Sequence, residues 1–240
     1  MSKPFHFKQF TVHQDKAAMK VGTDAVLLGA WCSLENNPDT ILDIGAGTGV
    51  IALMLAQRSD AMTIDAVEIE ERAYEQCVEN FEQSDWGDRL FCYHSSFQYF
   101  VTEMEDEEEK YDLIISNPPF YKDNFQTSDK ARNQARFESA LSFEDLLDGV
   151  SRLLEDEGVF AVVLPYKELD GFVKQANSKG LFLNKVCKVK GNPNSDVVRC
   201  MLKFSFESSA LIEEVLIIEE KRGVYTRGYV ELCNEFYLKM

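Results

Sequence analysis

From residue 40 onward, short apolar runs alternate with longer segments whose apolar residues recur at helical spacing. TILDIG, MTIDAVEI, LFCYHS, YDLIISN and VFAVVLP read as strands, and GVIALMLAQRS, EERAYEQCVENFEQ and SFEDLLDGVSRLLEDEG as helices. Ser142 is the expected N-cap of the last helix and Gly158 its C-cap. Such alternation predicts an α/β fold with a doubly wound, mostly parallel sheet. Beyond it, KELDGFVKQANSKG reads as a helix ended by Gly180. LFLNKVCKVKG and VVRCMLKFSF, joined by GNPNSD, read as an antiparallel edge pair. Residues 211–220 add a further strand, YTRGYVELCNEFYLKM predicts a C-terminal helix, and EDEEE at 105–109 predicts a solvated loop. No repeat or linker interrupts the pattern. The expectation is one domain over residues 1–240, with an N-terminal extension (1–35), a core (36–206) and a C-terminal strand and helix (207–240).

Composition narrows the class. The opening MSKPFHFKQFTVHQDK has no apolar signal core, and no run approaches the roughly 18 apolar residues of a membrane span, so a cytoplasmic protein without a membrane partner is expected. Cysteines 32, 77, 92, 187, 200 and 233 include no CxxC pair, which argues against a zinc knuckle or a disulfide framework; no metal is expected. The net charge of -16 speaks against nucleic acid, yet it is uneven. Residues 25–165 hold nine basic and twenty-nine acidic side chains, whereas residues 1–24 and 166–240 are each slightly positive. Two stretches are locally basic: Lys122, Lys130, Arg132 and Arg136 in one, and Lys185, Lys188, Lys190, Arg199 and Lys203 in the other.

Two stretches carry the chemistry. In LDIGAGTG, Gly45, Gly47 and Gly49 stand where the first strand meets the first helix, so the backbone can approach a ligand closely beside free helix N–H groups. Asp43 ahead of them would repel a pyrophosphate but suits a ligand bearing an ammonium group, as S-adenosylmethionine does. The G-x-G-x-G spacing also differs from the dinucleotide fingerprint of a nicotinamide dehydrogenase. About 20 residues on, Glu68 ends the next strand where its carboxylate can take both ribose hydroxyls; a helix-capping acid is the alternative. In IISNPPF a buried strand stops at Asn117, followed by Pro118, Pro119 and Phe120. A simple turn would explain the prolines. They would equally hold an Asn oxygen and the Pro118 carbonyl rigidly against the N–H bonds of a planar amine, with Phe120 stacked on it.

These segments together resemble the class I S-adenosylmethionine-dependent methyltransferases, with DIGAGTG as the first motif, VEIE as the ribose-binding acid and NPPF as the catalytic loop. The resemblance implies a Rossmann-like sheet and a planar amine as acceptor, in adenine, guanine or protein glutamine. Where many relatives have an acid contacting the adenine, this chain reads HSSFQ, and Ser96 or Phe97 takes that place. MKVGTDAVLLGAW at 19–31 resembles the corresponding segment of bacterial tRNA adenine-N(6) methyltransferases acting on the adenosine 3′ of the anticodon in a valine tRNA. KARNQARFESALSFEDLL and YTRGYVELCNEFYLKM resemble that family too. The resemblance implies that Lys20, Gly22, Thr23 and Asp24 fold over the cofactor, an N-capped helix starting at Thr23 being the bland alternative. It also implies a tRNA partner; the two basic stretches are the surface expected to grip it, and no obligate protein partner is evident. A release-factor glutamine methyltransferase is a rival, but about 40 residues before the first motif leave little room for its usual helical domain. A non-catalytic nucleotide-binding protein is the other; intact Asp43, Glu68 and Asn117 argue against it.

Overall fold

The computed structural model describes residues 3–118 and 141–240. A short ribbon, β1 (Phe5–His6) with β2 (Thr11–Val12), and helix α1 (Thr23–Trp31) precede an eight-stranded sheet. The sheet comprises β3 (Thr40–Ile44), β4 (Thr63–Glu68), β5 (Leu90–His94), β6 (Tyr111–Ser116), β7 (Leu154–Pro165), β8 (Phe182–Lys190), β9 (Val197–Ser205) and β10 (Ile212–Ile217). Their spatial order is β5-β4-β3-β6-β7-β9-β8-β10, and β9 alone runs against the rest. The expected antiparallel pair β8–β9 therefore lies toward one margin, with the additional strand β10 laid parallel outside it. A hairpin, β11 (Glu219–Lys221) with β12 (Val224–Tyr225), follows.

Alternation along the central strands feeds two cores. Ile41, Leu113, Ile115, Ala161 and Val163 point to one face, where they meet α1, α2 (Val50–Arg58), α3 (Glu71–Glu82) and α7 (Arg227–Cys233). Leu42, Ile44, Ile114, Phe160 and Val162 point to the other, under α4 (Phe97–Asp106), α5 (Phe143–Leu153) and α6 (Leu169–Ser178). Burial on both faces is what makes these strands apolar throughout. Among the described residues no helix is long and apolar enough to cross a membrane.

Several boundaries differ from expectation, each for a physical reason. Helix α4 lies in a stretch whose acidic end reads as loop: Phe97, Phe100, Val101 and Met104 form its buried stripe, Ser96 caps it by accepting from the Tyr99 N–H, and Glu105 and Asp106 of EDEEE form its last turn. Ser142 does cap α5, but Gly158 does not end it. The chain turns extended at Leu154, which is buried and pairs with Tyr111. An irregularity then separates that pair from Leu113–Val159, and a Cβ on Gly158 would lie 2.8 Å from the Leu154 side chain. Gly180, at φ +79°, follows α6 as expected. The C-terminal helix stops at Cys233, because Phe236 turns into the core and Tyr237 bridges to Phe7.

Two helical glycines make opposite predictions. A Cβ on Gly149 of α5 would sit 2.4 Å from the Phe97 ring of α4, whereas one on Gly171 of α6 would meet nothing within 4 Å. Overpacking of about 1–3 kcal/mol should outweigh the ~1 kcal/mol of helix propensity in Gly149→Ala, while Gly171→Ala keeps only the gain. Thermal unfolding should show the first variant melting lower and the second higher, by about 2–4 °C per kcal/mol. The same sign for both would contradict the packing described.

Candidate active site

The strand order reverses between β3 and β6, and a crevice opens at the carboxyl ends of strands at such a point. Ile44 pairs with Ser116 there, and the Ser116 hydroxyl donates to the Ile44 carbonyl at 2.9 Å. The glycine turn and Asn117 thus leave neighbouring strands about 4.8 Å apart. Gly45 and Gly47 have φ of +71° and +58°, and Cβ atoms there would point into open space. Gly49 serves packing instead: a Cβ would strike the Phe81 ring at 2.5 Å and the Cys77 sulfur at 2.8 Å.

Glu68, at the end of β4, accepts from the Gly47 N–H with one oxygen and from the Glu70 N–H with the other, both at 2.8 Å. Capping of α3 falls to Glu70, whose carboxylate accepts from the Ala73 N–H. Asp43 is 1% exposed; its Oδ2 accepts from Ala52 N–H at 3.2 Å in the first turn of α2, and its Oδ1 has no hydrogen-bond partner. Burial pushes this carboxyl up to about 7, opposed by the Ala52 bond and reinforced by the charge of Glu68.

Helix α1 brings the N-terminal candidates to the same end of the sheet. Arg58, ending α2, donates to the carbonyls of Gly29 and Cys32 near the end of α1, and Gly29 packs on Met54. The two helices therefore run parallel, which puts Gly22, Thr23 and Asp24 at the same end of the sheet as the start of α2. Thr23 is the first helical residue, not the cap; Gly22 holds the cap position without a side-chain bond. Asp24 is engaged by Arg199 of β9 at 2.8 Å, and Arg199 pairs in register with Pro165, the last residue of β7. Lys20 is exposed.

Other expected residues fall elsewhere. The Phe97 ring is buried against α5, and the Ser96 hydroxyl caps α4. Lys188 is paired with Glu213 at 2.6 Å and Lys185 with Glu214 at 2.9 Å, while Lys190 donates to the Pro193 carbonyl. β10 carries the compensating acids. Asn117 is half-buried and Pro118 buried, while Pro119, Phe120, Lys122, Lys130, Arg132 and Arg136 lie outside the described residues. Sequence reasoning missed the amides Gln76 and Asn80. Gln76 accepts from the N–H groups of Asp15 and Lys16, and Asn80 accepts from that of His13 while donating to the Thr48 carbonyl in the glycine turn. Their helical spacing of four was visible; their partners, more than 30 residues away, were not.

The fold and crevice together define a class. Residues 21–165 match the methyltransferase small domain family. Solved structures agree on the fold: a predicted O-methyltransferase from Agrobacterium tumefaciens superimposes with a TM-score of 0.67 at 18% identity, covering 89% of this chain and 96% of that one. A SAM-dependent methyltransferase from the same organism gives 0.59 at 13% identity, covering 85% and 70%. The chain is also 56% identical to the tRNA1(Val) (adenine(37)-N6)-methyltransferase of Christiangramia forsetii, over 100% of this chain and 99% of that protein. It is 45% identical to the same-named protein of Bacteroides fragilis, over 100% of both. The chain belongs to the tRNA1(Val) (adenine(37)-N6)-methyltransferase family.

The state of Asp43 makes a prediction. Below the ordinary carboxylate range the group is protonated whether folded or not; between about 4 and about 7 the unfolded chain releases a proton that the folded chain keeps. The associated stability is complete at low pH and lost as pH rises through about 7. Urea unfolding at about pH 5 and about pH 8 should show wild type losing about 2–3 kcal/mol more than Asp43→Asn, which mimics the protonated form. Equal losses would show that this carboxyl is not held protonated.

Proposed function

We propose that the chain transfers a methyl group from S-adenosylmethionine to the exocyclic N6 amine of adenosine 37 in a valine tRNA, in the cytoplasm, with residues 1–240 working as one domain. The observation that carries this reading is the juxtaposition of the Glu68-braced glycine turn with the Asn117-Pro118 exit of β6 across one strand boundary. Full-length similarity to proteins named for that reaction supports it.

Three features fit the methyl donor. The Asp43 Oδ1 is a buried acceptor without a partner, suited to an ammonium group. The space over Gly45 and Gly47 is open. Glu68 uses one acceptor site on each oxygen for the backbone and keeps others for a pair of ribose hydroxyls. When bound, the donor supplies an electrophilic methyl group. The residues of the chain do the rest. Asn117 Oδ1 and the Pro118 carbonyl accept from the two N–H bonds of the amine, which localises its lone pair, and the prolines keep both acceptors still. The nitrogen sheds its proton to water after attack, so no general base is required. Phe120 would stack on the base.

Labelled methyl transfer to total tRNA from cells lacking the enzyme, followed by nucleoside analysis, tests the reading; any product other than N6-methyladenosine overturns it. Glu68→Ala should weaken cofactor binding roughly ten- to a hundredfold by calorimetry, through about 1–3 kcal/mol of unpaired buried hydroxyls. Asn117→Ala should lower turnover roughly 10²–10³-fold while cofactor affinity stays within about tenfold. Turnover at the wild-type rate would reduce the NPPF segment to a turn.

A further inference from the structure

The cations available to an RNA partner are distributed differently in the fold than along the chain. On β8 and β9, Lys185, Lys188 and Arg199 are matched to Glu214, Glu213 and Asp24. The hairpin β11–β12 differs. Because β10 runs parallel to β8, its last residue, Ile217, leaves the sheet at the end where the glycine turn and Asn117 lie. The chain continues at that end, docked by Ile218 N–H to the Lys190 carbonyl and Glu219 N–H to the Gly191 carbonyl, both at 3.0 Å, and closed by Thr226 N–H to the Ile218 carbonyl.

Residues 220–225 are all exposed, and the tip is Arg222-Gly223, with Gly223 at φ +79°. Lys221 and Arg222 have no ion pair with any described residue. Of the neighbouring acids, Glu219 is turned back onto the Gly223 N–H at 3.3 Å and Glu220 is the residue at the irregular step of β11. Tyr225 packs beside Tyr229, ring centroids 5.0 Å apart, and steadies the hairpin on α7.

Position and charge agree. β3 and β4 carry the proposed cofactor crevice, which leaves the β7–β10 side of the sheet end for a macromolecular substrate. The negative excess of the chain lies in residues 25–165, which build β3 to β7, whereas residues 166–240 hold twelve basic against ten acidic side chains. From β6 to β10 is four strand spacings, about 19 Å. That is comparable to the width of a nucleic-acid duplex. We propose that the β11–β12 hairpin, through Lys221 and Arg222, contacts the phosphate backbone of the RNA stem whose loop delivers the base to Asn117. The inference rests on the reading of the substrate as tRNA and assigns its docking surface.

The test compares the full chain with its Lys221→Ala/Arg222→Ala variant on two RNAs: a stem-loop carrying the target adenosine, and a short single strand with the same loop sequence. For the stem-loop, KM should rise about tenfold with kcat within about twofold, and the slope of log affinity against log salt should flatten by about one unit for each phosphate that the variant no longer neutralises. The single strand should show no change in KM, and cofactor affinity and melting temperature should be those of wild type. The charge-keeping Lys221→Arg/Arg222→Lys variant should restore stem-loop KM. Unchanged stem-loop KM and salt slope, or an equal loss on both RNAs, would overturn the proposal while leaving the proposed reaction standing. Wild type that methylates neither RNA, nor total tRNA, would overturn both.

Discussion

One carboxylate holds the crevice in shape. With its two oxygens on the N–H groups of Gly47 and Glu70, Glu68 ties the turn after β3 to the turn after β4. Gly47 is half-buried and Glu70 exposed, so a donor that loses this partner can turn to water, and the cost stays below the roughly 1–3 kcal/mol of a fully buried one. The glycines permit the left-handed turn and Glu68 selects it, so the groups that would face a ligand are arranged before one arrives. The same oxygens keep acceptor capacity outward, which lets bracing and binding coexist on one side chain.

Around that brace the chain closes from both ends of its sequence. Residues 13–16 are clipped to α3 by Gln76 and Asn80, which are 0% and 1% exposed, and Asn80 extends the network to Thr48. Asp24 is held by Arg199 at the far side. Buried amides are tolerated where their donors and acceptors are met: Asn80 is met by backbone, Gln76 by backbone and the Glu79 carboxylate, and Lys16 adds ion pairs to Glu75 and Glu79 on the same strap.

Central strands were readable from the chain because strands covered on both faces must be apolar throughout, as in TILDIG and VFAVVLP. Helix α4 was readable in principle, from Ser96 and the stripe Phe97, Phe100, Val101 and Met104, but the acidic run beside it masked the period. The glycine turn and Glu68 were legible because a local motif and a fixed spacing define them. The state of Lys188 and Arg199 was not. Whether a lysine is free or matched depends on the register of a neighbouring strand, and nothing local in LFLNKVCKVKG says that Glu213 and Glu214 will lie alongside. Phe97 shows the same limit: its place just after β5 in the sequence says nothing about Gly149, against which its ring packs.

The bridge between Phe7 and Tyr237 bears on the order of assembly. Lys8 is held there as well, by its N–H on the Phe236 carbonyl at 2.8 Å and its ammonium on the Asn234 carbonyl. These contacts span more than 220 positions, among the most distant closures within the described residues, and loops of that length close late. Before residues 234–237 are synthesised, the segment that crosses α3 has its clips to Gln76 and Asn80 but not this second anchor. A nascent chain on the ribosome can therefore pair β3, β4 and β6 and brace its glycine turn before residues 234–237 are made to latch the N-terminal ribbon.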